Sequence, residues 1–144
     1  MQKSRVELAL QKRRLGYNCC QALVCTYCDL FGIKEEDMFR ISEGLGLGLS
    51  GLRETCGAVV GMMILAGLSR SDANLEKPAT KRETYTIGAE MAEAFREKNA
   101  SIICRELKEK KLRSCNGCIV DGARLTEELL FPGEFEPYDG EEFE

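Results

Sequence analysis

The chain carries eight cysteines, Cys19, Cys20, Cys25, Cys28, Cys56, Cys104, Cys115 and Cys118, and no histidine. A thiol acts through its thiolate, as a soft-metal or iron–sulfur ligand or as the nucleophile of disulfide exchange. Without histidine, Cys-His and Ser-His-Asp catalysis, a histidine zinc-protease site and a histidine-ligated haem are all excluded. Covalent haem attachment fails as well, because Cys25-Thr26-Tyr27-Cys28 is followed by Asp29 and Cys115-Asn116-Gly117-Cys118 by Ile119. The two Cys-x-x-Cys pairs are also too far apart in sequence for a zinc ribbon.

Four cysteines share a placement. Cys19, Cys56, Cys104 and Cys115 each fall at or just before the expected start of a helix, where backbone N–H groups have no internal partner and the dipole favours an anion. Aimed inward together, they would form the thiolate-rich pocket of a tetrathiolate metal or iron–sulfur site. Cys115 and Cys118 also read as a dithiol, with the helix start lowering the first thiol's pKa and the second placed to resolve a mixed disulfide. Cys25 and Cys28 are expected mid-helix on a less buried face, with no role, and Cys20 at the border of the apolar face.

The elements that position these thiols are helical. Residues 3–15 read as an amphipathic helix ended by Gly16, and Asn18 caps a second from Cys19 to Phe31 that Gly32 stops. Lys34–Ile41 is a short helix. The stretch Thr55–Leu68 is apolar nearly all round and one helix long, which marks a central buried helix too short to span a bilayer. Its Gly57 and Gly61 share one face and allow another backbone or a cofactor to approach closely. Thr80-Lys81-Arg82-Glu83 reads as a capping box for a helix to about Lys98, Ser101 caps the next, and Ile119–Leu130 is the last, closed by Pro132-Gly133. No strand run is evident. The fold class is all-α, a compact bundle of about six helices around residues 55–68.

Between the third helix and the central one, Gly46, Gly48 and Gly51 match the GxGxxG spacing of dinucleotide folds, but what precedes them is polar and helical rather than a strand. The bland reading is a turn whose bare backbone packs near the Cys56 site. The basic run Lys108–Arg113 is read as a solvated helix end.

At 144 residues one domain is expected, residues 1–131, followed by an acidic tail, 132–144. From Glu134 to Glu144 there are six acidic residues and no basic one, so the net charge of -4 overlies a body, 1–133, with 20 basic against 18 acidic residues. That near-neutral body argues against nucleic acid, and the tail reads as a solvated terminus. The N-terminal stretch lacks the apolar core of a signal peptide, so a cytoplasmic setting with reduced thiols and no membrane insertion is expected. The apolar residues 59–68 would suit a homodimer seam as well as a core.

Gly16-Tyr17-Asn18-Cys19-Cys20-Gln21-Ala22, the glycine-rich approach to Cys56-Gly57-Ala58-Val59-Val60-Gly61, Cys104-Arg105-Glu106-Leu107, and Cys115 with Ile119-Val120-Asp121-Gly122 and Glu127-Glu128-Leu129-Leu130 resemble the redox-active protein family named for the C_GCAxxG_C_C signature. The resemblance runs from about Gly16 to Leu130. It implies four shared cysteines, here Cys19, Cys56, Cys104 and Cys115 or Cys118, and a redox role. A similar domain in the split-Soret cytochromes has been proposed to hold an iron–sulfur centre. The extra thiols Cys20, Cys25, Cys28 and Cys118 depart from the usual pattern, and no haem segment is present. The leading expectation is thus an iron–sulfur cluster on those cysteines that passes electrons to a redox partner protein. The alternatives are a metal-free thiol–disulfide oxidoreductase or redox sensor, and a zinc or soft-metal protein. No general acid or base is identifiable.

Overall fold

The structure is a computed structural model that describes residues 1–140. Among the described residues seven helices make up the fold: α1 (Val6–Arg14), α2 (Cys19–Tyr27), α3 (Glu35–Ser42), α4 (Gly57–Arg70), α5 (Lys81–Asn99), α6 (Cys104–Glu109) and α7 (Cys115–Leu130). The all-α class holds, and among the described residues the only β pairing is two isolated bridges, Gln2 with Phe135 and Thr55 with Ile103. No helix of the described residues is long and apolar enough to cross a membrane.

Helix α2 forms where its sequence dictates. The Asn18 side chain accepts from Gln21 N at 2.8 Å while the Gln21 side-chain Oε1 accepts from Asn18 N at 3.0 Å, closing a capping box that satisfies two orphan donors. Every residue of α2 is buried, because α1, α3, α4 and α7 all pack on it. The chain then tightens into a 3₁₀ turn, Cys28–Phe31, so α2 stops four residues before the expected end. This encasement corrects the expectation for Cys25 and Cys28. Both are buried, at 5% and 1% exposure, since α3 and the 3₁₀ turn cover the side of α2 that periodicity assigned to solvent.

Helix α4 crosses α2 along its glycines. A Cβ on Gly61 would lie 3.1 Å from Leu23 Cδ2, so the two helices pack closely there. Its outer residues Val60, Met63 and Ile64 are half-buried, while Val59, Met62, Leu65 and Ala66 fill the core with Leu23, Met91, Phe95, Ile119 and Val120. Each such fully buried side chain contributes about 1.5–3 kcal/mol.

Three local expectations differ. Thr80 stands before α5 without a side-chain cap, so the Thr80–Glu83 capping box does not form. Ser101 acts one step ahead of α6: its hydroxyl accepts from Ile103 N at 2.9 Å and donates to Glu106 Oε1 at 2.5 Å, leaving Cys104 as the first helical residue. Helix α7 begins at Cys115 rather than Ile119, because Ser114 caps it by accepting from Gly117 N at 3.0 Å. Part of the acidic terminus is also tied down. Phe135 is buried against Tyr27 and Phe131, and its segment pairs with Gln2; residues 141–144 of the expected tail lie outside the described residues.

Candidate functional site

Four helix starts converge. The strands of chain entering α4 and α6 lie side by side, with Cys56 N donating to Ile102 O at 2.8 Å, Cys104 N to Glu54 O at 2.6 Å and Arg105 N to Arg53 O at 3.0 Å. That pairing sets the N-termini of α4 and α6, and with them Cys56 and Cys104, at one place. The starts of α2 and α7 bring Cys19 and Cys115 to the same place, and Cys118, three residues along α7, shares the face of Cys115. All five thiols line a single cavity of about 20 Å³ together with Leu47, Gly57, Leu107, Lys108 and Arg113. Gly61, one turn further along α4, packs on α2 and does not line it.

The glycine-rich loop forms a wall of this cavity. After a 3₁₀ turn at Glu43–Leu45, Leu47, Leu49, Ser50 and Arg53 all take positive φ, and Gly48 at φ 69° has no room for a side chain, its Cβ position falling 2.4 Å from Arg53 Cα. Backbone bonds from Arg53 N to Leu47 O and from Glu54 N to Gly48 O hold the turn, which presses Leu47 over the thiols. No strand precedes it, so the dinucleotide fingerprint lacks its context.

The thiols are all free and interact two and two. The Cys19 thiol donates to Cys115, and this hydrogen bond, helped by Lys108 and Arg13 against the cost of burial, holds Cys115 down at about 5. The same contact, with burial, pushes Cys19 well up. In the second pair the Cys118 thiol donates to Cys56, which is lowered despite its burial with the further help of the Ala58 and Val59 N–H groups at the start of α4. Cys118 is correspondingly raised. Burial raises Cys104, which feels the charges of Cys56 and Cys115. Burial works against the Lys108 ammonium too, but its hydrogen bond to Cys115 and the surrounding thiolates prevail and raise it. Cys115 alone of the eight is half-buried rather than buried.

Among the described residues no three Cys, Asp or Glu side chains converge on the geometry of a single metal ion. Cys20 and Cys25 stand outside the cavity, both pushed up to about 12 by burial, and Cys28 is raised for the same reason. The sequence reading missed the cations. Lys108 and Arg113 lie in the run read as a solvated helix end, yet both line the cavity; their place immediately ahead of Cys115 was the available signal. Arg113 is fixed by Asp121, buried at 2% exposure, which accepts from Arg113 Nε at 3.1 Å, Lys98 Nζ at 2.7 Å and Asn99 Nδ2 at 2.9 Å.

Comparison with known proteins identifies one relationship: the sequence profile of the family described as "Putative redox-active protein (C_GCAxxG_C_C)" matches residues 17–129. No curated protein and no solved structure matches the chain.

Proposed function

Because this chain belongs to the C_GCAxxG_C_C redox-active family, we propose that its five-thiol cavity is the redox centre and that the centre is an iron–sulfur cluster used for electron transfer. The observation that carries this reading is that Cys19, Cys56, Cys104, Cys115 and Cys118 line one small cavity at converging helix starts, with Cys19 beside Cys115 and Cys56 beside Cys118. Two pairs of thiolates are the donor set of a two-iron cluster, one pair to each iron. Such a cluster, when bound, takes up and releases a single electron.

The chain's own residues suit that group. Ala58 N–H and Val59 N–H reach the Cys56 sulfur, the kind of contact that tunes a thiolate ligand, and Lys108 does the same at Cys115. Lys108, Arg113 and Arg13 offset the negative charge that several thiolates collect. Leu47 and Leu107 shield the site from water, and Gly57 lets α2 and α4 close on it.

A second reading is favoured by one specific feature, the half-buried Cys115 held at about 5 beside a thiol partner. In thiol–disulfide exchange, Cys115 would attack a substrate disulfide and release one thiolate. Cys19 would then attack the mixed disulfide, release the second thiol and leave a Cys19–Cys115 disulfide, two electrons having passed to the substrate.

Anaerobic purification with a visible spectrum and assays of iron, zinc and acid-labile sulfide separates the readings. A coloured protein with about two irons and two sulfides per chain supports the cluster. A colourless, iron-free protein overturns it, and a titratable thiol number that drops by two on oxidation then favours exchange; colourless protein with stoichiometric zinc favours metal handling.

A further inference from the structure

The mouth of the thiol cavity is basic and studded with leucines. Lys108 and Arg113 line the cavity, while Arg13 lies close enough to Cys19 and Cys115, and Arg53 to Cys104, for its charge to act on those thiols. From Arg105 to Arg113 the chain places five basic residues against two acidic ones. Among these charges Leu47, Leu52 and Leu112 are 41%, 65% and 37% exposed.

Acidic residues also follow the far end of the last helix. Helix α7 starts at the cavity with Cys115 and runs 16 residues to Leu130, about 24 Å. Beyond it come Glu134 and Glu136, which flank the Phe135 bridge to Gln2, and then Asp139. The rim beside the thiols thus carries more basic than acidic charge, an arrangement that orients an acidic partner before contact.

We propose that the basic, leucine-bearing rim is the docking surface for an acidic redox carrier protein, which lays its own redox centre against the thiol cavity. This rests on the cavity being the redox centre. The cations set the approach and orientation of such a partner, and the leucines supply the apolar contact that desolvates on docking. A small anion would engage the cations and leave the leucines in water. A single-stranded nucleic acid would need aromatic faces for its bases, and the cavity lining has none.

The test uses the intact chain, an acidic two-iron ferredoxin as the probe, and basic cytochrome c as the opposite-charge control, with binding measured by titration calorimetry at about 20 mM and about 300 mM salt. The expected result is ferredoxin binding at low salt that weakens about tenfold or more at high salt. The double variant Lys110→Glu/Lys111→Glu loses about tenfold or more at low salt. Both lysines are exposed, and among the described residues the only ion pair given up is the 3.9 Å contact of Lys110 with Glu106. Lys81→Glu/Arg82→Glu, the same charge change at the far start of α5, binds like the wild type. Absence of low-salt binding, equal loss in both variants, tighter binding of cytochrome c, or displacement of ferredoxin by a single-stranded oligonucleotide overturns the proposal. Heat reports docking independently of electron transfer. A rim-dependent complex that passes no electrons refutes the redox-centre reading and not the surface, whereas a redox-active chain with no rim-dependent complex refutes the surface.

Discussion

A Cβ added to Gly57 would stand 3.1 Å from the Cβ of Cys19 and 3.2 Å from the backbone nitrogen of Cys20. The start of α4 therefore touches the start of α2 through backbone, with no flexible side-chain tip to give way. Gly57→Ala must push the two helices apart at the cavity, and it is expected to cost about 1–3 kcal/mol of overpacking, visible as a lower urea midpoint and as a changed spectrum of the redox centre. Gly61→Ala meets side-chain atoms only, Leu23 Cδ2 at 3.1 Å and Val24 Cγ1 at 3.4 Å, with Leu23 Cβ at an ordinary 3.5 Å, and the Leu23 tip can rotate. There the helix-propensity gain of about 0.5–1 kcal/mol offsets the strain, so its stability is expected to stay near wild type with an unchanged spectrum.

The Asp121 carboxylate holds Arg113, Lys98 and Asn99 from a site at 2% exposure, and the Arg113 side chain is itself only 9% exposed. Removing one partner of a buried pair leaves the other charge without compensation. Asp121→Ala is expected to destabilise by about 3 kcal/mol in urea unfolding, and a loss under about 1 kcal/mol would mean that water replaces the carboxylate. Because Arg113 reaches the cavity from this anchor, the same variant is expected to alter the redox centre's potential even where the protein remains folded.

In reduced, metal-free protein the Cys19–Cys115 pair gives up its first proton at about 5, against roughly 8.5 for a free thiol. The folded pKa of Cys115 lies below its unfolded value, so the stability this thiolate contributes is fully present above the unfolded pKa and is lost as pH falls through about 5. Cys19, raised in the fold, works in the other sense: its contribution is fully present below the unfolded value and falls as pH rises above it. Iodoacetamide labelling followed by peptide mapping is expected to find Cys115 modified first, with a rate that rises through pH 5 and levels off by pH 7. Equal labelling of all thiols, or a midpoint near that of a free thiol, would contradict the pairing.

Helix positions were legible because periodicity and caps are local: Asn18 announces α2, and the apolar run ending at Leu68 announces α4. The four helix-start cysteines were legible for the same reason. What local signals do not carry is which elements cover a helix. Cys25 and Cys28 follow the polar side of the α2 pattern, yet α3 and its preceding turn seal that side. The pairing of Cys118 with Cys56 depends on the crossing of α4 and α7, and the role of Lys108 depends on how α6 is pinned beside residues 53–56 by the Thr55–Ile103 bridge. Phe135 was hidden by its acidic neighbours, though one buried aromatic is enough to anchor a terminus.

The pairing also ranks the cysteines. Cys19, Cys56, Cys115 and Cys118 each have a thiol partner in the cavity, whereas Cys104 interacts with Cys56 and Cys115 through charge alone. Serine at any of the first four removes a thiolate from the proposed two-iron donor set, and each single variant is expected to lose most of the iron and sulfide. Cys104→Ser is expected to keep them with a shifted potential, because its sulfur contributes field rather than a ligand. Cys25→Ser and Cys28→Ser put a hydroxyl where the thiols now donate to Glu35 O and Cys25 O, so each is expected to cost about 1 kcal/mol and to leave the metal content alone. Iron and sulfide assays on these seven variants, purified anaerobically beside wild type, decide the ligand set. Loss of cluster in Cys104→Ser with retention in Cys118→Ser would exchange those two residues, and retention in all seven would end this assignment of the ligands.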